Sequence, residues 1–367
     1  MTKAAELAKM GEVLTNSQIG GRRNIIINGA MQVAQRGTSF NYTTSDAYSL
    51  DRFRIDVTGG DNSAGAFTLT QAAVTDLPGF TKAMKFDVTT ADTSIAAGEA
   101  LNLSYRIEGQ DLQQLKKGTS EAEKFTISFY VKGTAKTYAL EVLDIDTSGN
   151  RSIAKTFNVT TSWNRVILTF DGDTTGPLDN DANRSLDLNF FFHAGSTYTG
   201  STLQTSWGAM TNNERAAGIG SLYSSTDNEL FITGLQMEVG SQATPFEHRS
   251  FGEELQLCKR YYNLLTTGEA SKPISNAVAY NANQCSGVIQ FNPAMRAIPT
   301  IDITTVSSGY RYVSKAANTN FDTVALDISN SKQVLWAKSG LSGMTSGSAG
   351  WLQTTSADSY MAFTAEL

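Results

Sequence analysis

Apolar side chains recur at every second position in three long runs: Phe125, Ile127, Phe129 and Val131; Val166, Leu168 and Phe170; Leu186, Leu188, Phe190 and Phe192. A period of two puts one side of an extended chain in a core and the other outside it, so each run predicts a half-buried antiparallel strand. Trp163 reads as part of the core of the second run. Turn chemistry separates the runs at Asp76-Leu77-Pro78-Gly79, Asp146-Thr147-Ser148-Gly149-Asn150 and Gly172-Asp173-Thr174-Thr175-Gly176-Pro177. Strands of six to ten residues at such spacing predict a jelly-roll β-sandwich over residues 24–249.

The period changes in two places. From Ala4 to Leu14 apolar residues recur at three and four, which predicts a short amphipathic helix within an attachment segment, residues 1–23. Leu7, Met10 and Leu14 have the spacing of a coiled-coil seam, and two readings stand: a helix docked on its own domain, or one that joins a partner chain. A linking helix is expected over residues 250–268. Ser250-Phe251-Gly252-Glu253 has the form of a capping box, and Phe251, Leu255, Cys258 and Tyr262 share a face. Beyond it, short alternating runs at 274–280, 286–291, 301–306, 310–313, 321–328, 334–337 and 361–364 predict a smaller C-terminal β-sandwich, residues 269–367. Ser339 to Gly350 is Gly/Ser-rich and reads as a loop outside any core. The fold class is therefore all-β, and no fixed-period repeat suggests a propeller or solenoid.

Composition sharpens this picture. Charged residues make up 17% of the chain, and 29 Lys+Arg against 35 Asp+Glu give a net charge of −6 with no long basic run. Nucleic acid is therefore not expected as a ligand, since phosphate binding needs clustered positive charge. No stretch approaches the roughly 20 apolar residues of a membrane span, and the first residues lack the apolar core of a secretory signal. A protein made in a cytoplasm and released by lysis is expected. Cys258 and Cys285 leave two readings, a disulfide or two buried free thiols.

Three stretches carry a resemblance. Gly20-Gly21-Arg22-Arg23-Asn24-Ile25-Ile26-Ile27-Asn28-Gly29-Ala30-Met31-Gln32-Val33-Ala34-Gln35-Arg36-Gly37, with Asp51-Arg52-Phe53 following, is the first. Phe231 to Gly240, Ala243-Thr244-Pro245-Phe246-Glu247-His248-Arg249-Ser250 and Cys258-Lys259-Arg260-Tyr261-Tyr262 make the second. Phe291-Asn292-Pro293-Ala294-Met295-Arg296-Ala297-Ile298-Pro299-Thr300 is the third. With Trp163 to Phe170, they resemble tail-fibre and virion-appendage proteins of tailed bacteriophages, including those of marine and cyanobacterial phages, with a jelly roll similar to carbohydrate-binding modules. The resemblance implies a homotrimer in the virion tail or neck, joined to other virion proteins through residues 1–23 and attaching to a host glycan or surface protein. A structural connector that carries another fibre is the alternative. Neither a long fibrous shaft nor a self-cleaving chaperone domain is visible.

Catalytic signals are sparse. His193 and His248 lie in separate segments and are expected to be structural, because no nucleophile occupies a recognisable motif. Zinc ligand spacing is missing around the cysteines, and no carboxylate pair can be located from spacing, so no enzyme activity and no cofactor are expected. Asp171, Asp173, Asp179 and Asp181 collect hard oxygens near a strand end, open to two readings: a structural calcium site or an exposed acidic turn. Glycan recognition needs aromatic platforms with polar neighbours. Trp351, Trp336, Tyr310, Tyr360 and Trp207 are the candidates, with Tyr198 and Tyr223 beside them and Trp351 first.

Overall fold

The computed structural model describes residues 3–4, 23–43, 46–59, 65–315 and 318–367. Leu7, Met10 and Leu14 lie outside the described residues. Two compact units divide the chain, Met1–Phe251 with Leu367 and Gly252–Glu366.

The first unit has two antiparallel sheets. One runs in the order β1 (Ser39–Tyr42), β4 (Ala66–Ala73), β5 (Lys82–Thr90), β13 (Glu229–Val239), β7 (Phe125–Gly133) and β10 (Asn164–Phe170). The other runs β12 (Gly208–Ala209), β9 (Arg151–Val159), β8 (Lys136–Asp144), β11 (Arg184–Ala194), β6 (Ala100–Glu108), β3 (Phe53–Thr58) and β2 (Ala47–Tyr48). The period-two runs become the inner faces. Val166, Leu168 and Phe170 lie opposite Phe129, Ile127 and Phe125. Across the sandwich, Phe129 meets Phe190 edge-on at 5.2 Å and Phe86 meets Phe192 at 5.2 Å. Such crossed rings add to the burial that holds the layers together.

In β13 the inward set changes parity, from Leu230 and Ile232 to Leu235 and Met237, all fully buried. A bulge between Thr233 and Gln236 absorbs the extra residue. Gly234 makes it possible, at φ 64° and with the rings of Phe80 and Tyr130 where a Cβ would go.

Trp163 corrects an expectation. It is only half-buried, because its odd position puts it on the side opposite Val166, Leu168 and Phe170; its indole donates to Asp76 at 2.9 Å and Lys132 lies 5.1 Å from its ring.

The resembling stretches are scaffold. The carboxylate of Glu247 accepts the amides of Arg23 and Asn24 at 2.8 and 2.7 Å, and Arg249 donates to the carbonyl of Ile26 at 2.9 Å. Residues 23–37 form no strand; the Asn24 and Asn28 side chains take over backbone groups of Ile26, Met237 and Val33 instead. Asp51, buried, accepts the Gln35 amide at 2.7 Å. After β11 comes the one-turn α1 (Ser196–Thr199).

The second unit opens within α2 (Phe251–Lys259), at Gly252. This helix is shorter than the expected 250–268. The residues after it pair as β14 (Tyr262–Thr267) in a three-stranded sheet, β14-β23-β17, with β23 at Tyr360–Thr364 and β17 at Thr300–Ile303. Its buried stripe is also offset: Glu254 and Cys258 are buried while Phe251 is exposed. A seven-stranded sheet completes the unit in the order β19 (Asn318–Phe321), β18 (Tyr310–Ser314), β22 (Ala349–Thr354), β15 (Pro273–Asn281), β16 (Gln284–Gln290), β21 (Gln333–Lys338) and β20 (Ala325–Ser329). Both sheets feed one core that includes Tyr312, Trp336, Leu352, Met361 and Phe363. Cys258 and Cys285 are buried and form no disulfide with each other.

The third resembling stretch belongs to this core too. Phe291 packs edge-on against Phe363 at 4.9 Å, Met295 is buried, and the Arg296 guanidinium donates to the carbonyls of Ala365 and Glu366 at 2.7 and 3.0 Å. The Gly/Ser segment is tied down more than expected, because Met344 is buried in the core and Leu341 donates its amide to Asn283 at 3.0 Å.

Candidate functional site

The outward face of the second unit's large sheet is apolar and open. Leu352 points into the core, so its neighbour Trp351 points out and is 42% exposed. Trp351 lies opposite Val313 on one side and Asn276 on the other. On the next strands Val288 lies opposite Leu335, and Leu335 opposite Ile328. Val288 is 46% and Ile328 65% exposed. Between β15 and β16 lies an open depression of about 610 Å³ lined by Asn276, Val278, Ser286, Val288 and Gln290 among others, with no acidic side chain. The Asn276 and Gln290 amides at its edge are exposed, and the Trp351 indole N–H is turned along its own strand to Gln353 at 2.8 Å. An indole face, two free-standing amides and apolar walls are the elements of a sugar-ring platform.

The structure does not bring the other aromatic candidates to this face. Trp336 is fully buried and donates to Ser275 at 2.8 Å; Tyr310 is fully buried and donates to the carbonyl of Tyr360 at 2.7 Å. Both are core residues, since Trp336 shares an inward parity with buried Val334 and Tyr310 with buried Tyr312. Tyr360 is half-buried, with its hydroxyl 3.4 Å from Asp302. Trp207 belongs to the first unit: it packs against that core, donates to the carbonyl of Asp171 at 2.7 Å and carries the Lys117 ammonium 5.6 Å from its ring. Tyr198 packs beside Phe191, and Tyr223 is fully buried.

The acidic turn does not gather its four carboxylates. Asp173 is buried and takes two hydrogen bonds from Arg151, at 2.8 and 2.9 Å, with Lys117 at 3.2 Å. Burial pushes its carboxyl up, but these cations outweigh that and hold it below its usual range. Asp171 pairs with Lys124 at 2.7 Å, and Asp181 accepts the Asn183 side chain at 2.5 Å. Among the described residues the four do not converge on one point.

Periodicity reasoning overlooked the outward face of the first unit's seven-stranded sheet. Registers there line up Arg54, Ser104, Asn189 and Glu141 in one row across four strands, with Asp56 and Asn102 in the next. These residues are polar; Asn102, Ser104, Glu141 and Asn189 are buried, and Arg54 and Asp56 are half-buried. Arg215 clamps Glu141 through two bonds at 2.8 and 2.7 Å, and Asn189 donates to the same carboxylate at 3.0 Å. Asn102 Oδ1 and Ser104 Oγ are buried without a hydrogen-bond partner among the described residues. Burial drives the Asp56 carboxyl up to about 6, against the pull of Arg54. The signal was in the skipped positions of Leu186-Asp187-Leu188-Asn189 and Leu101-Asn102-Leu103-Ser104.

His248 packs tilted against Phe80 and edge-on against Phe246, at 5.3 and 4.9 Å.

No family model matches the chain, and no curated protein matches it. Among solved structures it is similar to the enzymatically active domain of tailspike protein 4 of bacteriophage CBA120, at 14% identity and a TM-score of 0.31, over 59% of this chain and 21% of that one. The chain thus spans about a fifth of the tailspike it matches. It is also similar to a CBM4 module, at 14% identity and a TM-score of 0.29 over 58% of this chain and 97% of that one. A third similar structure is the family 11 carbohydrate-binding module of the cellulosomal cellulase Lic26A-Cel5E of Clostridium thermocellum, at 10% identity and a TM-score of 0.27 over 61% and 97%. The neighbours are thus carbohydrate-binding modules and a phage tailspike domain, at low identity.

Proposed function

We propose that this protein is a tail-fibre-like virion component that attaches to the host cell surface by binding glycan, without cleaving it, through the outward face of its second unit. The observation that carries the reading is the open depression of about 610 Å³ beside the half-exposed Trp351, edged by the Asn276 and Gln290 amides. Trp351 stacks on the apolar face of a pyranose and the amides pair with its hydroxyls. With no carboxylate among the lining residues, the site binds without general acid–base chemistry. One such shallow site is weak, and a homotrimer in the virion gives useful avidity from three of them.

A second reading is favoured by the exposure of Val278, Val288 and Ile328 on the same face: a structural connector, in which that face seats another virion protein. One experiment separates the two. The purified full chain and its Trp351→Ala variant are tested for binding to glycan arrays and to susceptible cells, for competition with phage adsorption, and for oligomeric state by sedimentation. Glycan binding by the parent with at least a tenfold loss in the variant supports attachment. Retention on virions without affinity for cells or glycans, at concentrations that allow for trimer avidity, replaces it with the connector.

A further inference from the structure

The first unit contains a buried constellation that glycan binding does not use. Asp92 follows β5, Glu99 immediately precedes β6, and His193 lies near the end of β11; all three side chains are buried, at 3%, 0% and 0% exposure. The His193 Nδ1 is 2.8 Å from the hydroxyl of Ser221, which turns Nε2 toward the two carboxylates, 3.5 Å from Glu99 Oε2 and 3.9 Å from Asp92 Oδ2. One donor atom from each residue lies within 4.8 Å of the other two. Donors held about 2.0–2.2 Å from a common ion have separations of this kind. The serine contact on the far nitrogen is the arrangement that fixes the ring of a ligating histidine.

The backbone holds these donors in place. Asp92 donates its amide to the Tyr223 carbonyl at 2.8 Å and accepts the Ser94 amide at 2.9 Å. Glu99 accepts the Ala96 amide at 2.9 Å, and its carbonyl takes the Gly195 amide at 2.8 Å. A Cβ on Gly195 would lie 2.0 Å from the Ala96 carbonyl oxygen, so only glycine lets β11 close on this loop. Tyr223 covers the site, its ring 5.0 Å from that of His193.

What sets the cluster apart is its unmet polarity. His193 Nε2, Asp92 Oδ2, Glu99 Oε1 and the Tyr223 hydroxyl are buried with no hydrogen-bond partner among the described residues. Leaving such groups bare is unfavourable, and two adjacent buried carboxylates are more so. With Nδ1–H donated to Ser221, a proton shared by the carboxylates would relieve them and still leave the Nε2 lone pair without a partner. A single dication satisfies all three.

We propose that Asp92, Glu99 and His193 bind one divalent first-row transition ion per chain, zinc being the ion these donors suit best. One imidazole and two carboxylates fit zinc's preference for nitrogen and oxygen donors and leave a fourth tetrahedral position open to water. Calcium takes six to eight oxygens and does not favour imidazole. The ion's role is structural, since it pins the 92–99 loop to β11.

The test uses untagged full-length protein stripped with a chelator and then titrated with zinc, manganese or calcium chloride, read by calorimetry, elemental analysis and thermal unfolding. One zinc per chain is expected, with a rise in Tm of about 5–10 °C once zinc is a hundredfold above its Kd. In His193→Gln, and separately in Asp92→Asn combined with Glu99→Gln, zinc affinity falls at least a hundredfold. Comparison of stripped and loaded parent protein keeps the test valid should a variant fail to fold. Retention of less than a tenth of an ion per chain with no shift in Tm overturns the proposal and leaves a proton-sharing cluster only. A response to calcium alone, or zinc bound as tightly by the variants as by the parent, overturns it as well.

Discussion

Two outward sheet faces of this protein reverse the usual relation between chemistry and burial. In the first unit, Arg54, Ser104, Asn189 and Glu141 form a polar row that is mostly buried, its charges paired with Asp46, Asp56 and Arg215; in the second, the apolar Trp351, Val288 and Ile328 are left in the open. The first arrangement satisfies its charges internally and contributes to a specific fold. The second leaves apolar area uncovered, which a chain tolerates where something else is to cover it. Function is thus better sought where burial is unfinished than where polar residues are dense.

The comparison can be broken most forcefully on the buried side. Arg215→Ala strips the bidentate partner from Glu141, which has no exposed surface, and is expected to lower the unfolding free energy by about 3–5 kcal/mol in urea denaturation. A loss under about 1 kcal/mol would mean that water reaches this face and that the two rows do not differ in kind. Lys117→Met should cost a similar amount, of order 3–5 kcal/mol, since it takes from the buried Asp144 and Asp173 the ammonium they share and leaves Arg151 on Asp173.

A smaller effect, with a defined pH window, belongs to Asp56. Burial first, opposed by Arg54, raises its folded-state carboxyl from an ordinary 3.8 to about 6. The folded state therefore holds a proton between about pH 4 and 6 that the unfolded state has lost, and the group's contribution to stability falls as pH rises through that window. Asp56→Asn removes this slope and should raise Tm at pH 7 more than at pH 4.5; an unchanged pH profile would show that the carboxylate is solvated. Smallest of all is the effect on stability at the open face. Trp351→Ala and Val288→Thr are each expected to change it by no more than about 0.5 kcal/mol, and a loss of several kcal/mol would reveal a hidden packing role for that face.

The inner faces were legible in the sequence because runs such as Phe125, Ile127, Phe129 and Val131 alternate without ambiguity. Faces became unreadable where apolar residues are adjacent. Val334-Leu335-Trp336 and Trp351-Leu352 fit either parity, so Trp336 and Trp351 looked alike although one is core and the other surface. Tyr310-Arg311-Tyr312 did carry a usable sign, since the arginine between them marks the tyrosines as the inward pair. For the acidic turn, the cations that claim Asp173 come from Lys117 and Arg151, distant in the chain. Asp92, Glu99 and His193 could not have been grouped at all, because only the pairing of β6 with β11 brings them together.

The position of β13 has a consequence for how the protein comes into being. This strand follows every other strand of the first unit in the chain, yet it lies in the interior of its sheet, between β5 and β7. Until residue 239 has left the ribosome, β4 with β5 and β7 with β10 are separate ribbons with open edges. At about 5–20 residues per second, the roughly 150 residues between β5 and the end of β13 take some 8–30 s to appear. During that interval the nascent chain depends on chaperones or on its own hairpins to keep those edges from other chains. β23 plays the same closing part in the three-stranded sheet of the second unit, between β14 and β17.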